Sequence, residues 1–137
     1  MGYLLSQSNL GGINGSLFSA QVCGSAYSAD ALYNGTVFVP CTDGLNAIEL
    51  QGSPNLPSFT IKWKTDPFMS GAPIVSGNAV WVIDTDNGTL FALDPSTGST
   101  LFSYHLCSVV HFESTSSADG MILAGAGDRI VAISIST

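Results

Sequence analysis

Any chemistry in this chain must come from a small set of side chains. Its 137 residues include three cysteines, two histidines, ten acidic residues and three basic ones. Cys107, His111 and Glu113 lie close together, with His105 beside them. A thiol, an imidazole and a carboxylate in that order could form a nucleophile, its general base and an orienting group. Packing in a core accounts for the same residues without requiring a reaction, and that reading is adopted. Asp84-Thr85-Asp86-Asn87-Gly88-Thr89 puts oxygen atoms at alternating positions, as a calcium loop would. It lacks the downstream bidentate glutamate, and an Asp-Asn-Gly hairpin turn explains the same residues. The cysteines show no C-x-x-C spacing, which argues against zinc. No catalytic, metal-binding or cofactor-binding residue is assigned, and no cofactor is expected.

The elements that would position these side chains follow from composition and repetition. Apolar residues make up 45% of the chain and charged residues 9%, with 15 glycines. That profile suits many short strands joined by tight turns, with few solvated helix faces to carry lysine and glutamate. The net charge is −7, and the cations are Lys62, Lys64 and Arg129 alone. Three cations cannot make the basic stripe that displaces counterions from nucleic acid, nor a patch for an anionic membrane surface. Mean hydropathy is positive, yet no apolar run approaches the roughly 18 to 20 residues of a membrane span. Met1 to Ser8 lacks the basic start and long apolar stretch of a secretory signal.

Three series of segments recur at intervals near 42 residues. Leu17-Phe18-Ser19-Ala20-Gln21-Val22-Cys23 matches Leu101-Phe102-Ser103-Tyr104-His105-Leu106-Cys107, where 101 − 17 = 84, or twice 42. Asn34-Gly35-Thr36-Val37-Phe38-Val39 aligns with Gly77-Asn78-Ala79-Val80-Trp81-Val82 and with Ala118-Asp119-Gly120-Met121-Ile122-Leu123. Ala47, Ala92 and Ala132 anchor the third series. The middle unit predicts four strands: 72–75, 80–83, 90–93 and 101–105. Asn, Gly and Pro between them supply the backbone angles that tight turns require. No sustained 3.6-residue period occurs, so helix is expected to be nearly absent. Four antiparallel strands every 40 to 45 residues form the pattern of a β-propeller blade. The predicted fold is therefore all-β: one segment over 1–137, with blade repeats roughly at 25–65, 70–106 and 111–135. An outer strand over 17–22 is expected to complete a blade, with the last blade as its partner. Because the repeat begins mid-unit, flanking sequence before Met1 is expected, with an intact small protein as the alternative.

Ala92-Leu93-Asp94-Pro95-Ser96-Thr97-Gly98-Ser99-Thr100-Leu101-Phe102 resembles the docking motif of the PQQ-type (quinoprotein-like) propeller repeats. That pattern is Ala-x-Asp-x-x-Thr-Gly-Lys-x-x-Trp, met here by Ala92, Asp94, Thr97, Gly98 and, with an aromatic exchange, Phe102. Ser99 replaces the lysine. Trp63 holds the equivalent aromatic position in the first unit, after a longer Pro-rich turn over 51–57, and Phe18 holds it in the partial unit before. The resemblance implies that the aromatic ring packs on the backbone of the next blade. Dehydrogenases of this family need an axial calcium and quinone site and commonly adjacent cysteines, which are absent from this sequence. The expected function is a non-catalytic scaffold for protein or ligand binding. The alternatives are a fragment of a PQQ-dependent oxidoreductase or a self-assembling repeat module.

Three blades leave unprotected sheet edges, so a head-to-tail dimer closing a six-bladed ring, or further blades of a longer parent, is expected. Cys23 follows an outer strand and Cys41 ends a strand of the next blade, which puts them near one face. A Cys23–Cys41 disulfide is therefore expected, and with it an extracellular or periplasmic location, the alternative being three buried, reduced thiols. Cys107 has no obvious partner, because the position matching Cys41 is near Gly125. Asn14, Asn34 and Asn87 open formal glycosylation sequons, but each coincides with an Asn-Gly turn that the hairpins need, and turn chemistry is the better explanation. Phe68 is the aromatic assigned to a loop binding face.

Overall fold

The computed structural model describes residues 1–135. All regular structure among them is strand and turn, with no helix. A two-stranded sheet pairs β1 (Gly2–Leu4) with β2 (Phe18–Ala20). The first four-stranded sheet runs in order β3 (Ala31–Tyr33), β4 (Thr36–Cys41), β5 (Gly44–Ser53) and β6 (Leu56–Lys64). The second holds β7 (Ile74–Ser76), β8 (Ala79–Asp84), β9 (Thr89–Leu93) and β10 (Thr100–His105). A three-stranded sheet of β11 (Thr115–Ala118), β12 (Met121–Ala126) and β13 (Arg129–Ser134) ends the array. Every ladder is antiparallel between neighbours in sequence.

The repeated turns explain why these hairpins close. Asn34-Gly35, Gly77-Asn78 and Asp119-Gly120 are the two residues between the first and second strands of successive sheets, and all six have positive φ. Two consecutive left-handed residues match the right-handed twist of flanking strands, and Gly, Asn and Asp adopt that conformation at least cost.

Strand alternation then sorts side chains between neighbours. On β4, Phe38 packs with Val80 and Val82 of β8. Val37 and Val39, pointing the other way, pack with Val22, Ile48 and Phe59 beside the two-stranded sheet. On β8, Trp81 and Ile83 turn from the first sheet and pack with Ile122, Ala124 and Ala126 of β12. The second sheet is thus covered on both faces, and all six residues of β8 are buried. A strand covered on both faces reads as a continuous apolar run, as Ala79 to Ile83 does.

Two expectations need correction. The outer strand expected over 17–22 is shorter, Phe18–Ala20, and pairs with β1 instead of completing the last blade. Its apolar side chains Phe18 and Ala20 pack with Val22 and with Phe59 of the first four-stranded sheet. The Pro-rich turn expected over 51–57 is mostly strand, since Gln51 pairs with Ser58, Gly52 with Pro57 and Ser53 with Leu56. Only Pro54 and Asn55 make the turn, so β5 and β6 form a long hairpin that reaches beyond its neighbours. Proline and glycine are tolerated there because the segment is exposed and at a sheet edge.

Candidate functional site

The residues singled out by the repeat motif meet at the joints between sheets. At the first joint, β6 carries Trp63 and the turn from Asp94 to Ser99 receives it. The turn is shaped by Asp94, whose Oδ1 accepts hydrogen bonds from the backbone N–H of Ser96 at 2.7 Å and of Thr97 at 3.2 Å. The Ser96 hydroxyl also donates to that oxygen. Backbone bonds from Gly98 N to Asp94 O and from Asp94 N to Ser99 O, both 2.8 Å, close the turn. Thr97 Oγ1 accepts from Ser99 N at 3.2 Å. Trp63 Nε1 donates to Pro95 O at 3.0 Å, and the indole lies against Gly98. A Cβ on Gly98 would stand 2.6 Å from Trp63 Cε3, and φ there is +74°. Glycine is required twice over, for the close approach and for the left-handed backbone.

Ala92 and Phe102 take no part in that contact. They are cross-strand partners on the opposite face of the second sheet, where Ala92 is buried and Phe102 lies 6.1 Å from the Trp81 ring. Ala47 faces Trp63 in the same way one sheet earlier. A small residue opposite a large ring recurs, and each aromatic reaches towards the following sheet. The position equivalent to Asp94 in the third sheet is Ser134, so the third sheet has no aspartate there. Phe18 meets the Phe59 ring edge-on at 5.0 Å instead of a glycine turn, because the β5–β6 hairpin has no Asp-x-x-Thr-Gly sequence.

The reactive groups are held apart or engaged elsewhere. Cys23 and Cys41 form a disulfide, with Cα atoms 6.1 Å apart. Asp43 lies near both sulfurs, but a disulfide leaves no thiolate to bind a metal. Asn46, buried beside it, donates from Nδ2 to Val22 O at 3.0 Å and ties the 22–23 segment to β5. Cys107 is exposed and unpaired. No hydrogen bond among the described residues joins Cys107, His111 and Glu113. His111 stacks edge-on with Phe112, while the Glu113 carboxylate sits over Gly125. Asp84 is buried, and its oxygens accept from Asp86 N, Asn87 N and Asn87 Nδ2 at 3.0, 3.1 and 2.7 Å. The candidate calcium loop is therefore a turn stapled by its own carboxylate. Phe68 is half-buried on Phe91, 5.5 Å ring to ring at the first joint, and with Phe91 it borders a surface cleft beside the Thr97 to Thr100 turn.

No family model and no curated protein matches this sequence. Solved structures do. BamB from Moraxella catarrhalis superposes with a TM-score of 0.66 over 88% of this chain at 19% identity. KlHsv2 with loop 6CD replaced by a Gly-Ser linker does so at 0.50 over 79%, with 10% identity. The chain is an open β-propeller segment. It spans 37% of the first of those chains and 34% of the second.

Within this propeller segment the hydrogen bonds from Ser96, side chain and backbone, and then Thr97, hold the Asp94 carboxyl below its ordinary value. The unfolded chain then binds its proton more readily than the folded one. The contribution of Asp94 to stability is present above about pH 4 and is lost as pH falls through the lowered folded value. Asp94→Asn should therefore flatten the acid limb of stability below about pH 4. Urea midpoints between pH 2.5 and 7 measure this, and an unchanged acid limb would remove Asp94 as its source.

One feature left no mark in the residue patterns. A cavity of about 620 Å³ opens between β1, the 22–30 segment and the outer face of β4 and β5. Its walls come from β1, the 22–30 segment, β4 with β5, and Phe59 of β6, so neither a motif nor a period announces it.

Proposed function

We propose that this chain is a non-catalytic β-propeller scaffold that binds protein or ligand, and that it works in an exported, oxidising compartment. The observation that carries the reading is the outer face of the third sheet, which no later sheet covers among the described residues, apart from the Glu113 carboxylate over Gly125. Ile122 and Ile133, and Ala124 and Val131, are cross-strand pairs facing the second sheet. The alternate pairs, Leu123 with Ala132 and Gly125 with Ile130, face away, and Ile130 is 76% exposed. An apolar sheet face of this kind is an association surface. A second copy joined head to tail, or further blades of a longer parent, would cover it. The disulfide supports export, since such bonds persist where the surroundings are oxidising.

Light scattering on a sizing column tests the association. The expected mass is twice that of the 14.2 kDa chain, and a folded monomer would overturn ring completion by a second copy. The non-catalytic half is tested by adding pyrroloquinoline quinone, calcium and an alcohol with a redox dye. No dye reduction is expected, and turnover would overturn the scaffold reading.

A further inference from the structure

Among the described residues β1 is paired along one edge, with β2. Met1, Gly2, Tyr3 and Leu4 all line the cavity beside it. Gly2 and Leu4 turn towards Val22 and Phe59, which share that lining, and Met1 and Tyr3 alternate with them along the same space. The facing wall is apolar. Val37 and Ile48 are cross-strand partners on it, with Val39 and Leu50 alongside. The rim runs from Cys23 to Asp30 and is fastened to β4 by the disulfide and by the Ala26–Cys41 bridge.

Asp30 brings a negative charge to this rim. It accepts no side-chain hydrogen bond and joins no ion pair among the described residues, and partial burial raises its carboxyl above the ordinary value. The other charged group in the lining is the Met1 amine, with the Tyr3 phenol as a further titratable group. No lysine or arginine lines the space. A chain with net charge −7 and three cations favours a cationic partner throughout, and here it offers one carboxylate that joins no ion pair among the described residues.

We propose that this cleft takes an extended peptide, added as a strand to the free edge of β1, with apolar side chains against Val37, Val39, Ile48 and Leu50 and a basic residue at Asp30. The proposal rests on the scaffold reading and specifies its partner. Main-chain donors and acceptors repeat along a strand edge, and another main chain is the partner that matches them in series. The apolar wall gives alternate side chains a surface, and the carboxylate sets which end is basic. The cleft lies at the opposite end of the array from the outer third-sheet face.

The test uses the full oxidised chain and a fluorescein-labelled heptapeptide of alternating valine and serine with one central lysine. Anisotropy should show saturable binding. Asp30→Lys should weaken it at least about tenfold, the loss expected for one charge-assisted contact. Exchanging the peptide lysine for glutamate should do the same on the unaltered protein, which guards against misfolding of the variant. N-methylation at alternate peptide amides should abolish binding, because it removes the ladder donors and keeps the side chains. Amide shifts should fall on Gly2 to Leu4 and Val37 to Val39. Equal binding of the N-methylated peptide would overturn strand addition in favour of a small-molecule pocket. Absence of binding at millimolar peptide would overturn it outright. Binding that maps to the third sheet would also overturn it while leaving the scaffold reading intact, whereas a monomer that binds no peptide anywhere would count against both.

Discussion

Trp63→Ala is expected to lower the unfolding free energy by about 3 kcal/mol, the lower end for removing a large aromatic, because the ring is only partly buried. The loss has two parts. Trp63→Phe should retain most of the packing and forfeit about 1 kcal/mol for the bond to Pro95 O. Gly98→Ala attacks the same joint from the other side. Its Cβ would overlap the indole, and alanine resists the φ of +74°. Together these should cost about 2–4 kcal/mol, combining overpacking with left-handed strain. The two changes should not add. With Trp63 removed, the overlap disappears and Gly98→Ala should cost about 1–2 kcal/mol, the backbone part alone. Urea denaturation of the two single variants and the double variant measures the coupling. Additivity within about 0.5 kcal/mol would mean that ring and glycine act independently.

Opening the Cys23–Cys41 bond should produce the second large effect. The disulfide spans 18 residues, and closing a loop of that length is worth about 3 kcal/mol through restriction of the unfolded chain. Reductant, or the paired change Cys23→Ser with Cys41→Ala, should lower the melting temperature by roughly 10 °C. The damage should be local first. Val22, Ile48 and Phe59 lose the link that holds the 22–30 segment, while the Trp81–Ile122 cluster should keep its amide protection longest. Calorimetry with and without reductant reads the size of the effect, and hydrogen exchange reads its position. An unchanged melting temperature would mean that Asn46 and the surrounding apolar contacts hold the segment unaided.

The second sheet was legible almost strand for strand. Strands read at 80–83 and 90–93 are observed as Ala79–Asp84 and Thr89–Leu93, because turn residues bracket continuous apolar runs there. Elsewhere local signals misled. Gly52, Pro54 and Pro57 carry turn chemistry, yet two of the three sit in paired strand, since an exposed edge tolerates them and long-range pairing decides. β1 went unread because three residues are too few to show a period. The motif around Asp94 identified the receiving turn and the aromatic at Trp63. It could not show that Ala92 serves the opposite face, since strand alternation separates residues that are contiguous in the motif. The cleft beside β1 was invisible for a related reason: it is a gap between segments, and a gap has no residues of its own.

Parity along the strands has a wider consequence. On β8 even-numbered residues look back to the first sheet and odd-numbered ones look forward to the third; on β4 the even Phe38 looks forward and the odd Val37 and Val39 look back. Each sheet thus has a leading and a trailing side written in its pleat. A slip of one residue in any hairpin would exchange the two and point that sheet the wrong way along the row. The paired left-handed turns at Asn34-Gly35, Gly77-Asn78 and Asp119-Gly120 fix the register, and so they also fix the direction in which the array can grow.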